Sequence, residues 1–149
     1  MRKVIYIALL LFSTLVVGQQ KKIEKLFLEI NNTQLSVVER DAYFILEMKS
    51  NAGKKLIRKG KILNPELINL LNDPKKGLIA HYILSQIWKN NWGESSCGGN
   101  EKQNLNEITY IIYNGLRIEI NPDKSVYSEN KYLTERKSDW ENFQKTVAN

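Results

Sequence analysis

The sequence has very little of what disulfide bonds and metal sites require. Its 149 residues include one cysteine, Cys97, and one histidine, His81. A single cysteine cannot form an intramolecular disulfide bond, although small exported domains often depend on such bonds. One histidine and one cysteine also fall short of the four ligands of a structural zinc site. The sequence therefore predicts a fold that is stabilised by its apolar core, with no metal ion and no cofactor.

Sequence motifs of the common enzyme classes are missing as well. The chain has no phosphate-binding loop and no dinucleotide-binding fingerprint. Its acidic residues are scattered singly, which does not indicate the paired carboxylates of a glycosidase. The segment 93–97 lacks the second glycine of a nucleophile elbow, and no strand is predicted before it. These absences favour a protein without catalytic activity.

One catalytic alternative remains, a small thiol-dependent hydrolase. In this enzyme Cys97 would be the nucleophile and His81 would be the general base. Asn100 would orient the base. Such catalysis needs a base within hydrogen-bonding distance of the thiol. The competing interpretation is that Cys97 is an exposed loop cysteine that never meets His81, and no family pattern around Cys97 favours the enzyme.

The longest apolar run lies at the N terminus. Two basic residues precede residues 4–17, which are apolar apart from one serine and one threonine. The run has the length of a signal-peptide core, whereas a membrane-spanning helix needs about 20 apolar residues. Comparatively small residues precede Gln19, and no cysteine lies there for lipid attachment. The sequence therefore predicts a signal peptide over residues 1–18 and an exported protein, periplasmic or secreted, with no stable membrane anchor after cleavage.

Residues 19–149 form the predicted mature chain, which is long enough for one domain with an apolar core and too short for two. The formal net charge of the whole chain is +6. Most basic residues are spread along the sequence, but four fall near one face of a predicted helix: Lys54, Lys55, Arg58 and Lys61. This pattern indicates either a surface for an acidic polymer, a lipid headgroup or a protein, or an ordinary solvated helix face. Export disfavours nucleic acid as the partner.

Apolar residues recur with helical spacing in the first half of the chain. They predict an amphipathic helix over residues 21–30. A capping-box spacing at Ser36 predicts a further helix through about residue 49, although Tyr43–Leu46 is also consistent with a strand. Residues 52–59 are predicted to form a helix that ends at Gly60.

Two repeated Asx-Pro pairs predict the next two helices. Asn64-Pro65 and Asp73-Pro74 each combine a capping side chain with proline at the first helical position, which predicts helices over about 65–72 and 74–89. The second is apolar on most sides, so we expect it at the centre of the domain. Only one narrow polar stripe is expected to reach water, formed by His81, Ser85 and Lys89.

The segment 64–88 resembles a single HEAT-type helical hairpin. The resemblance lies in one run of residues before the turn and one after it: Leu67, Leu70, Leu71 and Asp73, then Leu78, Ile79, Ala80, Leu84 and Ile87. Ile79 stands where HEAT repeats usually have an arginine. HEAT arrays contain several copies of the unit. The resemblance implies a protein-binding scaffold.

The second half of the chain combines a loop, a hairpin and a helix. The loop 90–106 contains Cys97 and Trp92, and we take Trp92 as a candidate binding residue because aromatic residues are enriched at interfaces. Asn114-Gly115 between two apolar runs predicts a β-hairpin in which Tyr113 pairs with Leu116 and Ile111 with Ile118. A short third strand is predicted at Val126-Tyr127. A C-terminal helix is predicted from about Thr134, with its buried stripe at Trp140, Phe143 and Val147.

Together these patterns predict a mainly helical, single α+β domain with a β-hairpin or small antiparallel sheet before the C-terminal helix. The function predicted best is non-catalytic binding of a protein partner outside the cytoplasm, as an immunity-type or inhibitor protein would do. The alternatives are the thiol-dependent hydrolase and a binder of anionic envelope polymer that uses the basic segment 54–61.

Overall fold

The computed structural model describes residues 18–40, 43–89 and 110–147. These residues contain five α-helices and five strands. In chain order they are α1 (residues 18–29), a 3₁₀ turn (Asn32–Gln34), β1 (Leu35–Arg40), β2 (Tyr43–Met48), α2 (Asn51–Lys59), a second 3₁₀ turn (Gly60–Leu63), α3 (Asn64–Leu70), α4 (Gly77–Ile87), β3 (Tyr110–Tyr113), β4 (Leu116–Ile120), β5 (Val126–Tyr127) and α5 (Asn130–Val147). Both sheets are antiparallel. The prediction of a mainly helical α+β domain with a small sheet before the C-terminal helix is confirmed.

The hairpin of β1 and β2 corrects the prediction of a helix over residues 36–49. The two strands pair so that Val37 lies opposite Leu46. Along β1, buried Leu35 and Val37 alternate with half-buried side chains, and Leu46 and Met48 alternate in the same way along β2. A period of two is the pattern of a strand with one covered face, and β-branched residues favour strands. The strand alternative for residues 43–46 is therefore the correct one.

Helix α4 is the centre of the core, as predicted, although it begins at Gly77 and not at Pro74. It contacts α2, α3 and α5, and its apolar side chains are almost fully buried: Leu78, Ile79, Ala80, Ile83 and Leu84. The carboxylate of Asp73 accepts the Lys75 N–H at 2.8 Å, so it caps a turn that precedes the helix. A Cβ atom at Gly77 would collide with the carbonyl oxygen of Leu71. The close approach of the start of α4 to the end of α3 therefore requires glycine.

The predicted cap at Asn64 is wrong, because Asn64 lies inside α3 and has no capping bond. Its side chain is buried, and its Oδ1 accepts the indole N–H of Trp88 at 3.1 Å. Pro65 does stand in the first turn of α3, as predicted, but the helix ends at Leu70 rather than at residue 72. Asn64 thus ties the start of α3 to the end of α4.

Asn32 joins the end of α1 to the start of α4. Its Nδ2 donates to the Pro74 carbonyl at 2.9 Å, and its Oδ1 accepts the Ile79 N–H at 3.0 Å. The ammonium group of Lys76 donates to the carbonyl oxygen of Phe27 at 2.8 Å. These bonds span more than forty residues of sequence. They fix the C-terminal end of α1 on the turn that leads into α4.

The second hairpin follows the sequence prediction in type and register. Tyr113 pairs with Leu116 and Ile111 with Ile118, and all four side chains are buried. The turn residues Asn114 and Gly115 have φ of 47° and 75°, the left-handed values that a two-residue hairpin turn requires. The predicted third strand is confirmed, because β5 pairs with β4. A bridge between Ser36 and Ser125 links the two sheets.

The C-terminal helix begins earlier than predicted. Helix α5 starts at Asn130 rather than near Thr134, and the Thr134 hydroxyl donates to the Asn130 carbonyl within its first turn. Trp140 is buried and Phe143 is half-buried, as predicted. Val147 is 45 % exposed, so the buried stripe ends before it.

Candidate functional site: a basic groove between two helices

One face of α1 is apolar and a neighbouring face is basic. Ile23 and Phe27 are half-buried against the core, which is the behaviour expected of an amphipathic helix. A second set of α1 side chains recurs at i, i+3, i+4 and i+7 and lies beside this face: Lys22, Lys25, Leu26 and Glu29. Residues at this spacing share one side of a helix. Helix α1 therefore presents three charged side chains, together with Leu26, next to its buried face.

Helix α2 presents a second basic surface. The Ser50 hydroxyl caps its start by accepting the Gly53 N–H at 3.0 Å, and Gly60 ends it with φ of 74°. Ala52 and Leu56 face the core. The helix contains no acidic residue. Four of its exposed side chains are basic: Lys54, Lys55, Arg58 and Lys59.

The two basic surfaces meet at a groove of about 580 Å³ between α1 and α2. Its walls contain five basic side chains, one carboxylate and one apolar residue: Lys22, Lys25, Lys55, Arg58, Lys59, Glu29 and Leu26. Lys25 and Glu29 form an i,i+4 ion pair at 4.0 Å, but both side chains are exposed. Such exposed pairs contribute at most about 1 kcal/mol. The groove therefore carries a clear excess of positive charge.

The predicted binding residues separate into three groups in the structure. Lys55 and Arg58 line the groove. Lys54 is exposed on α2 but does not line it. Lys61 stands in the 3₁₀ turn after α2, where its ammonium group lies 3.9 Å from the centre of the Trp88 ring. Trp92 lies outside the described residues.

Sequence reasoning missed the contribution of α1 to this groove. Lys22 and Lys25 were present in the helical pattern, and their spacing of three residues was the available signal. What the sequence alone does not reveal is that α1 and α2 lie side by side. That arrangement depends on contacts between distant parts of the chain.

His81 occupies a buried site rather than a water-facing stripe. It is 0 % exposed, and Ser85 is 1 % exposed, so the prediction that this stripe reaches water is wrong for both. Tyr113 of β3 and Trp140 of α5 cover this side of α4. Of the three stripe residues only Lys89 is exposed.

Both ring nitrogens of His81 are engaged. The indole N–H of Trp140 donates to Nδ1 at 3.2 Å, so the ring proton must reside on Nε2. Nε2 then donates to the carbonyl oxygen of Tyr113 at 3.1 Å. Burial lowers the pKa of His81 from 6.5 to about 4, with the nearby charge of Arg136 acting in the same direction and the Tyr113 hydrogen bond opposing both. The ring is neutral at physiological pH and bridges β3 and α5.

This arrangement leaves His81 no free nitrogen with which to accept a proton from a nucleophile. Cys97 and Asn100, the other members of the proposed hydrolase site, lie outside the described residues. Catalysis with His81 as the base would require the loss of at least one buried hydrogen bond, and an unpaired buried polar group costs about 1–3 kcal/mol.

Within residues 18–40, 43–89 and 110–147, no three histidine, cysteine or acidic side chains are grouped so that they could hold a metal ion. The helices of these same segments include none with the length and apolar character needed to cross a membrane.

Comparisons with known proteins leave the groove as the main basis for inference. No protein-family model matches the sequence. No curated protein and no solved structure gives a significant match either.

Proposed function

We propose that the protein is an exported, non-catalytic binding protein whose basic α1–α2 groove engages a negatively charged partner. The observation that supports this proposal is the composition of the groove walls, in which five basic side chains accompany a single carboxylate. A concave site in which one sign of charge predominates concentrates the electrostatic field and attracts ligands of opposite charge. The sequence predicts a protein as the partner, with an anionic envelope polymer as the alternative, and under this proposal either one would present negative charge to the groove.

The buried environment of His81 supports a role without catalysis. A general base must reach the proton that it removes, but both nitrogens of His81 are committed to Trp140 and Tyr113. The resemblance of residues 64–88 to a HEAT-type hairpin agrees with a binding role and stays a prediction.

Reversal of one groove charge tests the proposal. We expect Arg58→Glu to weaken binding to immobilised polyglutamate by about fivefold to tenfold at low salt, because an exposed charge pair contributes about 0.5–0.7 kcal/mol and the change replaces this attraction by a repulsion of similar size. The retained fraction, measured over a range of salt concentrations, gives the relative affinities. Binding of the unaltered protein should also weaken as salt rises, since exposed charges are screened.

Lys145→Glu is the matched control for this experiment. Lys145 is exposed on α5 and does not line the groove, yet its replacement changes the net charge by the same amount. It should retain nearly the affinity of the unaltered protein. If the two variants lose affinity equally, binding depends on net charge alone and the groove is not the site.

Export is tested by the N terminus of the protein recovered outside the cytoplasm. We expect it to begin at Gln19, because the basic residues, the apolar run and the small residues before position 19 agree on that cleavage site. N-terminal sequencing or intact mass measures this directly. A chain that retains Met1 would contradict the predicted cleavage.

A further inference from the structure

We infer that the groove receives an extended acidic segment of a partner protein, with an apolar side chain placed among its carboxylates. This inference rests on the proposed function and specifies the partner. Three features of the groove carry it: its length, the position of its charges on two walls, and the presence of Leu26 among the lining residues.

The length of the groove fits a short piece of extended chain. On the α1 side the lining residues run from Lys22 to Glu29, which is about 10 Å at a rise of about 1.5 Å per residue. An extended peptide advances about 3.3 Å per residue, so about three residues cover this distance. Alternate side chains of that peptide then point to the same wall.

The cations stand on both walls, which matches such a peptide. Lys22 and Lys25 lie on the α1 side, and Lys55, Arg58 and Lys59 lie on the α2 side. Because successive side chains of an extended chain point in opposite directions, carboxylates at adjacent positions would meet opposite walls. Two carboxylates that flank one apolar residue would meet the same wall, and the apolar side chain would face the other. Arg58 adds a planar group that can hold a carboxylate through two parallel hydrogen bonds.

Leu26 gives the groove an apolar part that a purely charged ligand would not cover. Its side chain is partly buried against the core, and the remaining part lines the groove. The carbon stems of the neighbouring lysines extend this apolar surface, since long basic side chains keep only their charged ends in water. A peptide can place one apolar side chain here, whereas a polyphosphate has none. A flat membrane surface would meet the rims of the groove and leave Leu26 uncovered.

Glu29 limits the groove at one end. Its carboxylate is the only negative group among the lining residues, and it pairs loosely with Lys25. An acidic segment should therefore place its carboxylates toward Lys22 and α2 and leave an uncharged part beside Glu29. Replacement of Glu29 by glutamine removes this repulsion and frees Lys25.

Fluorescence anisotropy with labelled peptides tests the inference. The probe is a short peptide of glutamates with one central leucine, and its control has glycine in place of that leucine. We expect the leucine peptide to bind the purified protein about fivefold more tightly, because burial of part of a leucine side chain is worth about that factor. The change is made in the peptide, so the fold of the protein is not affected.

Two variants locate the peptide in the groove. We expect Arg58→Glu to weaken binding of the leucine peptide by about fivefold to tenfold and Glu29→Gln to strengthen it by about twofold to threefold. Lys145→Glu again serves as the control with an equal charge change outside the groove. Retained thermal unfolding midpoints would show that the variants are folded.

The possible outcomes separate the inference from the proposed function. Equal affinity for the leucine and glycine peptides would overturn the inference, as would tighter binding of inorganic polyphosphate or of phosphatidylglycerol-containing vesicles at matched negative charge. Either of these results would leave anion binding by the groove intact. If none of the anionic probes binds, both the inference and the proposed function fail.

Discussion

Replacement of Ile83 by alanine is expected to lower the free energy of unfolding by about 2–5 kcal/mol. Ile83 is 0 % exposed and lies on α4, the helix that contacts α2, α3 and α5. The substitution removes buried methyl groups and leaves a cavity that surrounding helices fill only in part. A domain of this size has about 5–15 kcal/mol of stability in total. Urea unfolding should therefore show a clearly lower midpoint.

Ser85→Ala is the control on the same helix. Ser85 is buried, but its hydroxyl has no hydrogen-bond partner among the described residues. Removal of an unpaired buried hydroxyl relieves its desolvation cost, so stability should stay unchanged or rise by up to about 1 kcal/mol. Equal losses of stability in the two variants would mean that α4 is not the tightly packed centre of the domain.

Acidification is expected to remove about 3 kcal/mol of stability through His81. In the folded protein burial lowers the pKa of His81 to about 4, against 6.5 for the free side chain. Between these values the unfolded chain binds a proton that the folded protein does not, so stability falls as the pH decreases from about 6.5 to about 4. Each pKa unit corresponds to about 1.4 kcal/mol. Below about pH 4 both states are protonated and this effect levels off.

The His81→Gln variant isolates this effect from the titration of carboxylates. Urea unfolding of both proteins at about pH 7 and about pH 4.5 gives the loss of stability on acidification, which should be markedly smaller in the variant. An NMR titration of the His81 ring in the folded protein provides an independent measurement that does not depend on the variant. A folded-state pKa at or above 6.5 would contradict the expected burial and the hydrogen bonds to Trp140 and Tyr113.

Local patterns in the sequence were sufficient for much of the fold. The helical spacing in α1, the glycine after α2 and the Asn114-Gly115 turn each act over a few neighbouring residues. Such signals are strong because the periodicity of a helix and the left-handed φ of a hairpin turn are set by the chain itself. The register of β3 and β4 followed from the turn alone, and it is confirmed.

The sequence predictions were wrong where contacts between distant residues determine the secondary structure or the burial of a side chain. Residues 36–49 have apolar positions that suit either a helix or a strand, and pairing of β1 with β2 selects the strand. His81 and Ser85 look like a water-facing stripe until β3 and α5 cover them. The hydrogen bonds of His81 to Tyr113 and Trp140 span 32 and 59 positions of sequence. No local pattern carries such information.

The candidate site was predictable only in part, for the same reason. The basic segment 54–61 identified the α2 wall, including Lys55 and Arg58. It also included Lys61, whose ammonium group instead lies over the Trp88 ring. The α1 wall was missed because charges on separate helices form one site only after the chain has folded.

The bonds at Asn32 connect one wall of the groove to the core of the domain. Asn32 and Lys76 hold the C-terminal end of α1 on the turn before α4. This is the end of α1 that carries Glu29 in the groove wall. Asn32 itself does not line the groove, yet the placement of the helix that forms the α1 wall depends on its two hydrogen bonds. A substitution at Asn32 would therefore alter the groove from within the domain, without removing any residue that a partner touches.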